Sequence, residues 1–440
     1  MIPQEIGYRP SDILTTLSLN HPLVVENVAL LVSAASQLIA TVRSPPQTLT
    51  VSAYGSTLPA ALGIVEELNV AEIIRSEGEK GMHVKDILAR CHLKVDPKKL
   101  TRILRFLATN HWFREVSPNI FAHNLLSSLL DTGKDPLTPS FTQTKHRDST
   151  GLAAIAGFGG DDLLKTLSYL KDTILNPQTA FSEDSHEAAF QRGMRTSLDV
   201  WAYYDSGDEL ASYRRRRFDA VMSGANRLQP PESIVSAFKW PSLPSGGVIV
   251  DVGGGKGHVT LEIAKAFPDL KIIIEDKKSV IEDAKLYWEK YNPTHILEGK
   301  VDFLDVDFFE PQPTHSQAPD IFLLRQIMHD WSDSNCVKLL KNLRMVAKQD
   351  TKLVIIDSVI LTACESLVNG KITHGENQEL PPYPLLPNMG YTSVLSYMVD
   401  LVVLSVMNGS ERTLDDFDGI IKESGWKLLE NRSEETLCVH

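Results

Sequence analysis

A buried strand that runs into a glycine turn is the feature that most constrains this chain. Residues 248–258 read Val-Ile-Val-Asp-Val-Gly-Gly-Gly-Lys-Gly-His, a helical pattern follows, and Ile272-Ile-Ile-Glu-Asp276 reads as a second strand ending in acid. Strand, glycine turn, helix, strand and terminal acid form the opening of a nucleotide-binding α/β unit. Gly253, Gly255 and Gly257 let a backbone come close to a ligand, and Asp276 falls where a ribose diol would lie. The expected ligand is a nucleoside.

Dehydrogenases, P-loop enzymes and methyltransferases all use turns of this kind, so side-chain chemistry has to separate them. No Ser or Thr follows Lys256, which removes the phosphate-cradling G-x-x-x-x-G-K-[ST] pattern. Asp251 puts a carboxylate where a dinucleotide's pyrophosphate would lie, and like charges there repel. A cationic, phosphate-free nucleoside such as S-adenosyl-L-methionine suits these residues.

Strands and helices alternate from residue 248 onward: strands at 248–252, 271–275, 300–304, 320–325 and 352–356, with a helix at 334–347 among those between them. This is a doubly wound parallel sheet, whose ligands bind at the carboxyl ends of its strands. Upstream, residues 12–43 and 57–76 carry helical periodicity. Helices at 83–90 and 98–110 precede a small hairpin, Trp112 to Val116 with Ile120 to Ala122, the order of a winged helix. Residues 132–149 read as a linker, followed by helical stretches up to Phe238. The fold class is therefore α/β, a doubly wound Rossmann-like domain behind an N-terminal helical and winged-helix dimerisation domain. The expected division is 1–135 for dimerisation, 136–240 for a linker and helical substrate-pocket region, and 241–440 for the catalytic domain.

Charge and cysteine usage exclude several classes. The net charge of −12 gives no electrostatic footprint for nucleic acid, although Lys98, Lys99, Arg102 and Arg105 share one expected helix. The run Arg214-Arg-Arg-Arg217 has Asp205, Asp208, Glu209 and Asp219 around it and reads as a solvated helix face. Val24 to Val42 is apolar but interrupted by Glu26, Asn27, Ser33, Ser36 and Gln37, which favours a protein core or subunit interface over a membrane span. Homodimerisation through this segment is the expectation. The N-terminus shows no secretory signal, and Cys91, Cys336, Cys364 and Cys438 are too scattered for a metal or redox motif. A reducing, cytoplasmic setting without metal follows.

Chemistry concentrates at Leu323-Leu-Arg-Gln-Ile-Met-His-Asp-Trp-Ser-Asp-Ser-Asn-Cys336, which leaves a strand end and starts a helix, placing His329 at the mouth of the sheet. Asp357 ends the next long strand, and Glu411 lies in Asn408-Gly-Ser-Glu-Arg-Thr413 after a long apolar helix. A carboxylate that reaches an imidazole orients it and raises its basicity.

On these residues the chain resembles the class I S-adenosyl-L-methionine-dependent O-methyltransferases of the plant caffeate and flavonoid type, and more closely their fungal relatives. His329-Asp-Trp-Ser-Asp333 is the most specific piece, supported by Asp251-Val-Gly-Gly-Gly-Lys-Gly257. The resemblance implies methyl transfer from S-adenosyl-L-methionine to a phenolic hydroxyl of a small aromatic metabolite, in secondary metabolism, with His329 as general base between Asp357 and Glu411. The first of those acids is commonly Glu in the plant enzymes, so the shorter Asp357 implies a longer or water-mediated bond to the base. Cofactor positions carried over, with Asp251 and Gly255 from the turn itself, are Gly253, Asp276, Asp307, Phe308 and Arg325, the last commonly Lys in the family. Trp331 is a candidate to pack on the adenine. Acceptor-pocket candidates are Trp201, Tyr204, Phe218, Met222, Met398, Val402 and Met407, with the loop 362–390 as a possible cover. The rival reading is a non-methylating enzyme of the same fold, such as a pericyclase; an intact His329 motif argues against it.

Overall fold

The computed structural model describes residues 22–138, 144–228, 231–364, 367–368, 371–372, 381–433 and 436–439. The helical pattern expected before residue 22 and residues 365–366, 369–370 and 373–380 of the loop 362–390 lie outside them.

Seven strands form the main sheet: β1 (Val248–Val252), β2 (Lys271–Asp276), β3 (Val301–Asp305), β4 (Ile321–Arg325), β5 (Lys352–Ile356), β6 (Leu428–Ser433) and β7 (Thr436–Val439). Their order is β6-β7-β5-β4-β1-β2-β3. The first five are parallel, and β7 and β6 close one edge antiparallel. That closing pair was not foreseen from the sequence. Because helices cover both faces, strand side chains are apolar on either side: Val248, Val250 and Val252 pack with Leu339, Leu340, Leu343 and Phe417. Ile249, Ile272 and Ile274 pack with Leu261, Ile263 and Trp288 on the opposite face. Each such side chain contributes about 1.5–3 kcal/mol of burial. The strand order reverses direction between β1 and β4, which opens a crevice at their carboxyl ends.

Contacts divide the chain into two compact units, one made of Met1–Val28, Leu38–Asn176 and Ala189–Gln229, the other of Ala29–Gln37, Pro177–Ala188 and Pro230–His440. The region 136–240 therefore does not stand as a unit of its own. Its helix Glu209–Leu228 packs on Leu152–Phe158, which packs in turn on Thr57–Glu67. Within the first unit, helices Val84–Arg90 and Pro97–Thr109 precede the hairpin Arg114–Ser117 and Ile120–Ala122, in the expected order, and Met82–His83 adds a third strand. Asp96 caps the second helix by accepting from Lys98 N at 2.7 Å. Arg105, one of that helix's four cations, is spent on a forked bond to Glu115 at 2.8 and 2.6 Å.

The arginine run corrects its sequence reading. Arg215 and Arg216 are partly or fully exposed, but Arg214 and Arg217 are buried. Arg214 Nε lies 2.7 Å from Asp162, and Arg217 Nη2 lies 2.5 Å from Asp161 and 2.8 Å from Asp162. Half the run is a buried ion network, because Asp161 and Asp162 sit on a π-helical turn, Gly159–Leu163, that presents both carboxylates.

Among the described residues, three stretches are by length and composition alone long and apolar enough to cross a membrane: Val24–Val42, Pro45–Glu67 and Gly390–Met407. The second is broken by a turn at residues 54–56 and carries Glu66, buried against Lys145 at 2.6 Å. The third carries Asp400, whose Oδ1 accepts from Glu411 N at 2.9 Å. Val24–Val42 is not in the core of the chain: Leu31, Leu38 and Val42 are well exposed.

Candidate active site

The glycine turn follows β1, and its conformation is dictated by positive φ at Gly253, 66°, and Gly255, 59°. A Cβ on Gly253 would meet Ile327 Cδ1 at 2.6 Å, so a larger residue would have to displace that side chain as well as adopt the positive φ. Gly253 N and Gly254 N donate to Glu275 O at 2.8 and 3.1 Å, Gly255 N to Asp276 Oδ2 at 2.8 Å, and Gly257 N to Gly254 O at 2.9 Å. These amides are thus engaged within the chain, whereas a phosphate site needs them pointing at the anion. Around Gly255 a Cβ would meet nothing within 4 Å. Open space, an acid at the end of β2 and amides already paired fit a phosphate-free nucleoside.

Asp251 lies beneath the turn, 2% exposed, accepting from Thr260 Oγ1 at 2.8 Å; burial pushes its carboxyl up to about 7. Arg325, at the end of β4, is close enough for its charge to act on both Asp251 and His258. Asp307 is exposed and holds its own loop by accepting from Phe309 N at 2.9 Å. Phe308 approaches the Cβ direction of Gly253 at 3.5 Å. Trp331 meets Phe309 edge-on at 4.7 Å and Phe308 at 5.9 Å, so it belongs to an aromatic group beside the turn.

His329 follows β4 in a short 3-10 turn, Met328–Asp330, ahead of the helix Asp333–Val346, which Ser332 caps. Nδ1 is 2.8 Å from Glu411 Oε1, and Nε2 is 3.4 Å from Asp330 Oδ1. Asp357 does not bond the imidazole: its Oδ2 accepts from Met328 N at 3.1 Å, and Oδ1 has no hydrogen-bond partner. The shorter side chain reaches the backbone next to the base instead of the ring. Burial alone would lower the imidazole's proton affinity, but the charge of Asp330, the Glu411 hydrogen bond and the charge of Asp357 outweigh it and push its pKa up to about 10. Burial likewise pushes Asp357 up to about 7 and raises Asp330.

Two residues of this cluster escape sequence reasoning. Asp330 stands inside the motif that singles out His329, but adjacency in sequence does not reveal which ring nitrogen it meets. Arg412, next to Glu411, is 1% exposed with its guanidinium on the His329 turn.

The acceptor candidates divide between the units. Trp201 and Tyr204 both pack on Phe218, with ring centroids 5.9 and 5.3 Å away, in the first unit. Tyr204 is 4% exposed, while Met222 is 40% exposed. In the second unit, Met398, Val402 and Met407 lie on the helix Val394–Met407, with Met398 exposed and the others half-buried.

A glycine turn after β1, an acid ending β2 and an acid-buttressed histidine after β4, all at carboxyl ends of one parallel sheet, define an α/β enzyme that works with a nucleoside cofactor. The chain belongs to the O-methyltransferase family, whose O-methyltransferase domain matches residues 170–374. It is 36% identical to an O-methyltransferase of Armillaria gallica over 92% of this chain and 85% of that one. To 4-O-methyltransferase 1 of Phanerochaete chrysosporium it is 34% identical, over 93% and 86%. A solved pericyclic reaction enzyme shares the fold, with a TM-score of 0.65 at 17% identity over 92% of each chain. The protein is an S-adenosyl-L-methionine-dependent O-methyltransferase acting on a small molecule.

Proposed function

We propose that the enzyme methylates a phenolic hydroxyl of a small aromatic metabolite, with His329 as general base. The observation that carries this is the 2.8 Å bond from His329 Nδ1 to Glu411, which orients the ring and makes Nε2, 3.4 Å from Asp330 Oδ1, the nitrogen that accepts a proton when the imidazole is neutral. A phenol with a pKa of about 10 is mostly protonated at neutral pH and needs such a base as its oxygen attacks. The imidazolium that forms is stabilised by Glu411, Asp330 and Asp357. Bound S-adenosyl-L-methionine supplies an electrophilic methyl group on a sulfonium. Asp276, Gly253, Gly255, Asp251, Asp307, Phe308 and Arg325 are the residues we assign to hold it, with Trp331 beside the adenine.

Met398 and Val402 are assigned to the acceptor side on resemblance; the burial of Tyr204 among aromatic rings fits a core role. A pericyclic, non-methylating activity is the poorer reading, because it has no use for a base buttressed by three acids. We further propose a homodimer through Val24–Val42, since Val25, Leu31, Leu38 and Val42 are apolar and exposed. Incubation with methyl-labelled S-adenosyl-L-methionine and a panel of phenols tests the activity: label on a phenolic oxygen is expected, and transfer to none of them overturns the acceptor class.

A further inference from the structure

Three residues of 3-10 helix cannot hold a catalytic side chain by themselves. Residues 328–331 are fixed instead by the loop that follows helix Val394–Met407. Ser410 N donates to His329 O at 2.9 Å, and Gly409 comes so close that a Cβ would sit 2.2 Å from that carbonyl. Arg412 completes the grip. Its Nη1 donates to Met328 O at 2.6 Å, Nη2 to Trp331 O at 2.6 Å and Nε to Asp333 Oδ1 at 2.8 Å. The loop is pinned in turn to the segment after β5, with Ile360 N donating to Arg412 O at 3.0 Å.

We propose that Arg412 is a positioning residue for methyl transfer: its guanidinium holds both ends of the turn that carries His329, keeping Nδ1 on Glu411 and setting where Nε2 points. The proposal rests on His329 being the base. Its physical ground is the shape of the donor set. Two carbonyls three residues apart and one carboxylate diverge from a single point, and a planar guanidinium satisfies all three at fixed angles where an ammonium is a mobile point charge. A buried guanidinium also costs free energy unless every side of it is bonded, so the chain retains it only where the bonds are made. Consecutive residues thereby divide one task, Glu411 holding the ring and Arg412 the backbone beneath it.

The test compares Arg412→Lys, which keeps the charge without the fork, Arg412→Met, which keeps the stem alone, and His329→Ala. Folding is followed by circular dichroism, cofactor affinity by calorimetry and kcat across pH. Misplacing a reacting group by an ångström costs roughly a hundredfold, so Arg412→Lys should lose about that much kcat while S-adenosyl-L-methionine affinity stays within about twofold. The rising limb of kcat against pH should move to lower pH as the Glu411 bond loosens, which global destabilisation would not produce. Because Arg412 acts through His329, the double variant His329→Ala/Arg412→Lys should be no slower than His329→Ala. Near-normal kcat in Arg412→Lys beside an inactive His329→Ala, or losses that add in the double variant, would overturn the proposal. Near-normal turnover in His329→Ala would instead overturn the general-base reading. Arg412→Lys keeps the question answerable if Arg412→Met fails to fold.

Discussion

Each unit of the molecule buries three carboxylates in one cluster, and the two clusters differ in what faces them. In the first unit, Glu66, Asp161 and Asp162 meet four permanent cations, Lys145, Lys165, Arg214 and Arg217. Burial lifts Asp162, whereas Asp161 resists its burial and is held below its usual range by bonds from Lys165, Arg217 and Arg214. His146, beside Glu66, is kept neutral by burial and by the charge of Lys145, at about 3. In the second unit, Asp330, Asp357 and Glu411 share one imidazole. Charge matched by fixed charge gives a brace. Charge matched by one titratable ring gives a group with a strong hold on a proton, which is what a base for a weakly acidic phenol requires.

The comparison can be broken by exchanging the roles. His329→Ala should cost about a hundred- to ten-thousand-fold in kcat at unchanged folding, the range for removing a general base. Near-normal turnover would show that the second cluster is a brace too. Arg217→Met should do the reverse: removing one of the two guanidiniums that face the buried Asp162 costs up to about 3–5 kcal/mol of stability, read by denaturant unfolding, with kcat per folded molecule unchanged. A selective loss of kcat there would put the first cluster in the chemistry.

Glu411→Gln sharpens the contrast through pH. Only the neutral imidazole accepts a proton, so wild-type turnover should climb with pH toward about 10. Losing the carboxylate's charge and bond lowers the imidazole's pKa, so the limb should shift to lower pH, with kcat falling about tenfold as the ring loosens. An unmoved limb would mean Asp330 and Asp357 suffice. Smallest is the effect at Glu275, a third case, whose buried carboxyl stands 3.3 Å from His315 without a permanent cation and is pushed up to about 8 by burial and by Asp251. The folded chain keeps this proton above the ordinary carboxyl range while the unfolded chain has released it, so stability should fall between about pH 5 and 8. Glu275→Gln should flatten that slope, seen as a smaller pH dependence of the melting temperature. A slope as steep as wild type would remove Glu275 as its source.

Legibility followed what a sequence encodes locally. The parallel core was readable because strands buried on both faces must be continuously apolar, and the glycine turn because glycine adopts its φ without steric cost. His329 and Glu411 were readable as a motif pair, and the structure brings them into contact. The role of Asp357 was not, since one missing methylene decides between a ring nitrogen and the Met328 amide, and spacing carries no such distance. The arginine run was misread because sequence shows the acids next to it, Asp205 and Asp219, and not those of a distant π-helical turn. Strands β6 and β7 were missed for a related reason: an antiparallel edge pair such as Leu428-Leu-Glu-Asn-Arg-Ser433 is not continuously apolar.

The paired amides of the glycine turn bear on inhibitor selectivity. A turn whose Gly253, Gly254, Gly255 and Gly257 N–H groups are already given to Glu275, Asp276 and its own carbonyl has none of those four to offer an anion. Adenosine compounds that owe their affinity to phosphates, as those aimed at kinases and dehydrogenases do, should therefore compete weakly here. Compounds that keep the ribose diol and replace the phosphates with a neutral or cationic 5′ arm should discriminate in favour of this enzyme.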